Sequence, residues 1–262
     1  MNASRVLLTL ILLLSAASTG CQSDRAEPTK VELSVFAASS LTEAFQALER
    51  GFEADHPDVD VKLTFAGSQV LRLQIEQGAS ADVFASANES HMQALVESGH
   101  VTGSRAFARN ELVIIVPPTN PAGIDSFTSL GKASRIVIGT ENVPVGIYTR
   151  QVFDRAGREL GAAFAADIRR HVVSEESNVR LIRAKVEMGE ADAAIVYRTD
   201  AAASDRVRAV PIPDELHVRA SYLLGALTRA AHRPETQQFV AYVLSAKGRG
   251  ALHRHGFITE GE

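Results

Sequence analysis

Short apolar runs alternate along this chain with longer stretches in which apolar residues recur every three or four positions. The runs at 31–36, 59–65, 82–85, 112–116, 135–138, 171–173, 193–196, 207–211 and 222–226 have the length and composition of strands. The helical period appears at 41–54, 70–77, 89–98, 147–156, 179–188 and 235–246. In the first of these, Leu41, Ala44, Phe45, Leu48 and Phe52 fall on one face and leave the polar residues opposite. Strand–helix–strand alternation predicts an α/β fold of parallel sheets covered by helices. The stretch PPTNPAG at 117–123 reads as a loop, and no internal repeat or low-complexity tract interrupts the pattern.

The first residues are set apart from this pattern. Arg5 precedes an apolar run from Val6 to Leu14, and small residues follow in SAASTG. That is the layout of a secretory signal over residues 1–20, too short for the roughly 20 apolar residues that span a bilayer. Cys21 is the one cysteine in the sequence, so it has no internal disulfide partner. Its place after Ser18, Thr19 and Gly20 resembles a bacterial lipobox, which makes Cys21 the expected lipid attachment site and 21–30 a polar tether. A chance cysteine behind an ordinary cleavage site is the alternative.

Charge narrows the partners. The formal net charge is −4, and it becomes one unit more negative when the signal, whose one charged side chain is Arg5, is removed. An acidic chain is a poor match for nucleic acid. Without tryptophan it also lacks the usual platform for stacking sugars. The candidate chemistry lies at helix starts. Pro144 suits a first helical turn, where the N–H it lacks would have no partner. The N–H groups of Val145 and Gly146 then point out of the helix start, with nothing local to accept them. Three further starts follow strands: AASSLTEAF at 37–45, FAGSQVLRLQI at 65–75 and ESNVRLI at 176–182. Ser40 to Glu43 is a literal S-x-x-E capping box, so the plain reading of each is an ordinary helix cap. Converged on one point, four helix N-termini would instead make an anion pocket with no basic residue in it.

The segments FAASSLTEAF, FAGSQVLRLQIEQGASADVFASA, NVPVGIYTRQ and ADAAIVYRTDA together closely resemble the periplasmic molybdate-binding proteins of ABC importers. The match runs from about Val31 to Phe257, with the motifs in order. The resemblance implies a two-lobed periplasmic binding protein of type II, with the ligand between the lobes and two hinge crossings. It implies lobe 1 over 31–110 and 221–262 and lobe 2 over 111–220, with crossings near 109–112 and 218–222. It further implies an oxyanion held by the hydroxyls of Ser40, Ser68 and Tyr197 and by the main-chain N–H groups of Val145 and Val179. Position 145 is more often alanine in that family, so the valine bears on cavity size. Asn178 stands where an acidic residue is frequent.

The implied function is extracytoplasmic capture of molybdate, and of tungstate, for an ABC-transporter permease. The protein would be a monomer with no cofactor, and molybdenum would enter only as the bound anion. Sulfate, thiosulfate or a tungstate preference are the alternative ligands. A serine hydrolase using Ser40 or Ser68 with one of the eight histidines is the rival class. Neither serine lies in G-x-S-x-G, and the expected answer is no enzyme. Tyr197 as a half-buried core tyrosine is the plain reading of that residue.

Overall fold

The computed structural model describes residues 30–259. The expected signal segment, Cys21 and residues 22–29 of the tether lie outside the described residues. The chain begins with β1 (Val31–Ala38), a 3-10 turn at Ser39–Leu41, α1 (Thr42–Asp55), β2 (Val59–Ala66), α2 (Ser68–Glu76), β3 (Val83–Ser86) and α3 (Glu89–Glu97). A long strand, β4 (Val101–Val116), leads to β5 (Ile136–Gly139), α4 (Pro144–Glu159), α5 (Ala162–Arg170), β6 (Val172–Glu176) and α6 (Val179–Glu187). Then come β7 (Ala193–Tyr197), α7 (Arg198–Ala202), β8 (Arg208–Pro211), β9 (Arg219–Leu227), α8 (Pro234–Leu244) and α9 (Ala246–Arg254).

Strand β4 belongs to two sheets. From Val101 to Glu111 it pairs with β9, at the edge of a sheet ordered β2-β1-β3-β9-β4. From Leu112 to Val116 it pairs with β7 and β8 instead, and β5 and β6 continue that second sheet beyond β7. The sheets are not wholly parallel as the alternation predicts. β1, β2 and β3 are mutually parallel, as are β5, β6 and β7, but β4, β8 and β9 pair antiparallel throughout. One strand carries the chain from the first sheet to the second and another brings it back alongside, so the two must run in opposite directions.

The first half of β4 is absent from the hydrophobic pattern for a reason. Its sequence sets Val101, Phe107 and Ala108 among mostly polar residues, and bulges at Thr102/Ser104 and Ala106/Ala108 break the period of two. The helix expected at 235–246 is α8, and a second helix that the pattern does not show follows it directly. α8 stops at Leu244, Ser245 turns extended, and its hydroxyl accepts from the Gly248 N–H to start α9.

Both faces of the first sheet are covered. Leu33 and Val35 of β1 face the main core with Phe45, Leu48 and Phe52 of α1, whereas Phe36 faces a smaller cluster with Leu71 and Ile75 of α2 and Met92 and Leu95 of α3. β1 accordingly alternates apolar and polar residues over Val31–Val35 and turns wholly apolar over Val35–Ala38, where both of its faces are buried. The C-terminal helix α8 closes the α1 side, with the Phe52 and Phe239 rings edge to face at 5.2 Å. Among the described residues no helix is long and apolar enough to cross a membrane.

Candidate functional site

The parallel strands deliver their carboxyl ends to one place. The turn after β1, the starts of α2, α4 and α6, and Tyr197 at the end of β7 surround a small, partly open cavity. This is where α/β sheets place ligands, because strand ends and helix N-termini leave polar main-chain groups free there. Ser40, Ser68, Val145, Val179 and Tyr197 all line this single cavity. Each is at most 5% exposed, and among the described residues no lysine or arginine lines the space.

Two of the three hydroxyl- or amide-bearing starts are not caps. The 3-10 turn shifts the beginning of α1, so its N-cap is Leu41 and no side chain caps it. Ser40 therefore stands outside the capping box, with its Oγ 2.9 Å from the hydroxyl of Tyr222. Glu43 is turned away to Arg180 at 2.7 Å. Burial pushes the Glu43 carboxyl up, but the hydrogen bond and charge of Arg180 outweigh it and hold it below its ordinary value. Ser68 is the first residue of α2, after an N-cap at Gly67. Its Oγ accepts from the Ala87 N–H at 3.1 Å, so its own proton is free for another acceptor. Asn178 does cap: its Oδ1 accepts from the N–H groups of Arg180 and Leu181. Those are the second and third N–H groups of α6. The first, on Val179, has no acceptor among the described residues.

The α4 start leaves more donors open. Val143 is its N-cap without a side-chain bond, and Ile147 is the first residue whose N–H returns to it, at 2.9 Å. The N–H groups of Val145 and Gly146 have no acceptor among the described residues. Gly146 is required here, since a Cβ would lie 2.1 Å from the Thr140 carbonyl oxygen and 2.4 Å from that of Gly139. Arg150 fastens the same turn from outside, donating to the Gly139 and Gly146 carbonyls and to Glu175. Its charge is thereby engaged away from the cavity.

Tyr197 is 1% exposed, and its hydroxyl makes no well-aligned hydrogen bond among the described residues, only a poorly aligned approach to the Tyr222 hydroxyl. Burial, with nearby Tyr222, Tyr148 and Asp200 adding to it, pushes that hydroxyl well above its ordinary pKa. The phenol keeps its proton and remains a donor. A half-buried core tyrosine would be exposed at its tip, and this one is enclosed. Among the described residues no histidine lines this cavity, so Ser40 and Ser68 have no base beside them within it.

Several residues at the site left no trace in the sequence pattern. Gln69 donates to the Ser177 carbonyl at 2.7 Å, and His91 Nε2 lies 2.8 Å from the Asn142 carbonyl. With Glu43–Arg180, these join elements of the first sheet to elements of the second around the cavity. Since a carbonyl only accepts, His91 carries its proton on Nε2; burial holds its pKa down, although the Asn142 carbonyl acts against that. Gly67 allows the approach, because a Cβ there would lie 2.5 Å from the Ser177 oxygen. These pairings link residues about fifty to more than a hundred positions apart, and no local spacing announces them.

Asp200, 3% exposed behind Tyr197, has an unpartnered Oδ2 among the described residues. Burial raises its pKa to about 7, against the lowering charges of Arg183 and Arg180. Between its ordinary value and about 7, the folded protein holds a proton that the unfolded chain has released. Its contribution to stability therefore falls as pH rises through that window and is lowest above pH 7. Asp200→Asn is expected to be more stable than the parent at pH 8, by on the order of 1–2 kcal/mol, and to lose that advantage by pH 4–5. Urea melts of both proteins at the two pH values measure the difference; a gap independent of pH would contradict the assignment.

Main-chain and hydroxyl donors around a partly open cavity, between two helix-covered sheets joined by crossing strands, are the layout of a solute-binding protein. The chain belongs to the family of bacterial extracellular solute-binding proteins, whose model matches residues 33–258. It is 37% identical over 250 residues to the molybdate-binding protein ModA of Mycobacterium tuberculosis (strain ATCC 25618 / H37Rv), covering 94% of this chain and 92% of that protein. It is 31% identical to the putative ABC transporter substrate-binding lipoprotein YvgL of Bacillus subtilis (strain 168), covering 97% and 96%. Among solved structures, the periplasmic molybdate-binding protein of Azotobacter vinelandii matches with a TM-score of 0.73 at 19% identity, covering 86% of this chain and 98% of that one. The fold is that of type II periplasmic binding proteins.

Proposed function

We propose that this protein captures molybdate, and tungstate with it, outside the cytoplasm and delivers it to the permease of an ABC importer. The observation that carries the reading is the donor set. Among the described residues, unpartnered N–H groups on Val145 and Val179 and the hydroxyls of Tyr197, Ser40 and Ser68 line one cavity that has no basic side chain. A buried dianion is costly unless hydrogen-bonded. Each bond to an ionised acceptor is worth about 1.5–3 kcal/mol, and a favourable helix end adds up to about 2 kcal/mol. Several of each offset the desolvation without a counter-charge. The printed name of the mycobacterial relative points to the same ligand.

In this reading lobe 1 comprises 31–110 and 221–262, lobe 2 comprises 111–220, and β4 and β9 form the hinge at which the cleft closes. Cys21 carries the lipid that anchors an otherwise monomeric protein to the membrane; the name of the Bacillus relative supports the anchor. Titration calorimetry with molybdate, tungstate, sulfate and phosphate tests the ligand. An anion bound only by the folded state at a hundredfold excess over Kd stabilises it by about 2.7 kcal/mol, a shift of roughly 5–10 °C in Tm for a chain of this size. Molybdate and tungstate are expected to give that shift, sulfate less, and phosphate, which carries a proton near neutral pH, hardly any. Equal shifts from phosphate and molybdate would refute the site.

A further inference from the structure

Tyr222 lies outside the cavity lining, yet it is fully buried on β9 with its hydroxyl 2.9 Å from Ser40 Oγ. Either oxygen could donate across that distance, and the surroundings decide which does. On the far side of Tyr222 stands Asn110 of β4, also fully buried. Its Oδ1 accepts from the Glu111 N–H at 2.9 Å, which fixes the amide so that Nδ2 faces away from that bond. Nδ2 then reaches Thr199 Oγ1 at 2.8 Å and the Tyr222 hydroxyl at 3.5 Å. An amide NH2 group only donates, so the Tyr222 oxygen is on the receiving side and its own proton is left for Ser40. A phenol is also the better donor of the two hydroxyls. Ser40 Oγ, already accepting from Tyr222, has its own proton free to turn toward the cavity.

We propose that Tyr222, oriented by Asn110, is a positioning residue that directs the hydroxyl proton of Ser40 at the bound oxyanion. The effect matters because a serine hydroxyl rotates freely. Turned in the wrong sense it would present a lone pair to a dianion, where a donor is needed. Burial pushes the Tyr222 hydroxyl well above its ordinary pKa, with Asp200 adding to it, so the proton that sets the direction is not lost near neutral pH. The Ser40–Tyr222 bond joins residues 182 positions apart, and Thr199 anchors Asn110 from α7 on the second-sheet side.

The inference rests on Ser40 donating to the ligand, and a double-mutant cycle on the full chain separates the two claims. Molybdate Kd is measured for the parent, Ser40→Ala, Tyr222→Phe and the double variant. Tyr222→Phe, which removes only a hydroxyl outside the cavity, is expected to weaken binding about five- to tenfold. In the Ser40→Ala background the same change is expected to alter Kd by less than about twofold. An equal loss in both backgrounds would mean that Tyr222 acts through general packing, and would overturn the inference. So would an unchanged Kd for Tyr222→Phe while Ser40→Ala binds weakly. If Ser40→Ala binds as tightly as the parent, the reading of Ser40 as a ligand falls and the inference with it. Should Tyr222→Phe fail to fold, Asn110→Asp replaces the donating NH2 by an acceptor that competes for the Tyr222 proton. It is expected to weaken binding in the parent background and not in Ser40→Ala; no loss in the parent overturns the proposal.

Discussion

Ser68→Ala, Ser40→Ala and Tyr197→Phe are each expected to raise the molybdate Kd by ten- to a hundredfold, and the three together by more than a thousandfold. Each removes one donor to an ionised acceptor, worth about 1.5–3 kcal/mol, and 1.4 kcal/mol is a factor of ten in Kd. The three substitutions should part company in their effect on the empty protein. Tyr197 Oη makes no well-aligned hydrogen bond among the described residues, so losing it leaves nothing buried and unsatisfied. Tyr197→Phe should fold at least as stably as the parent and bind poorly. Ser68 Oγ accepts from Ala87 N–H, and Ser68→Ala strands that donor at a cost of about 1–3 kcal/mol in the ligand-free fold. Val145→Ala is the control, since the N–H remains and only side-chain bulk is lost. Calorimetric titration with urea melts of the ligand-free proteins separates binding from folding. If all three hydroxyl deletions leave Kd within about twofold, the oxyanion is bound elsewhere.

Gly146→Ala should be as damaging to binding as any hydroxyl deletion, although it removes no donor. The added Cβ would meet the Gly139 and Thr140 main chain at 2.1 to 2.6 Å. Main chain cannot rotate out of the way as a flexible side-chain tip can. The start of α4 must therefore back off from the end of β5, carrying the Val145 and Gly146 N–H groups with it. Overpacking of this sort costs about 1–3 kcal/mol of stability. Affinity should fall at least a hundredfold, because donors aimed at a small anion lose their geometry together. Gly157→Ala, on the same helix with only a 3.4 Å contact to the Ala165 Cβ, should change neither by much. A Gly146→Ala protein that binds molybdate like the parent would show that the α4 N-terminus does not hold the ligand.

The helix starts show what a local reading can reach. Asn178 was legible as a cap because capping joins a side chain to N–H groups two and three residues on, and the structure keeps that bond. The S-x-x-E box at Ser40 was equally legible and is overruled. A 3-10 turn displaces the helix start by one residue, and a tyrosine from β9 and an arginine from α6 take the two side chains that the box would have used. Pro144 announced a helix whose first N–H groups have no local partner, and that holds because proline's constraint is a matter of one residue's own geometry.

The sequence by itself determined most of the strands and helices, though not α5, α7, α9 or the first half of β4. It also determined the apolar face of α1 and five candidate positions at the ends of strands and the starts of helices. These follow from periodicity, capping chemistry and motif resemblance, all carried by short stretches of chain. Tertiary structure decided the rest. It placed the mostly polar residues 101–111 in a strand, because pairing with β9 satisfies their main chain whatever their side chains are. It set β4 and β9 antiparallel between two sheets, and it brought five positions from separate segments to one cavity. It also chose the partners of Ser40, Ser68 and Gln69, which lie from 19 to 182 residues away. A hydrogen bond depends on distance in space and carries no mark in the local sequence, so candidate donors could be named from the chain while their directions could not.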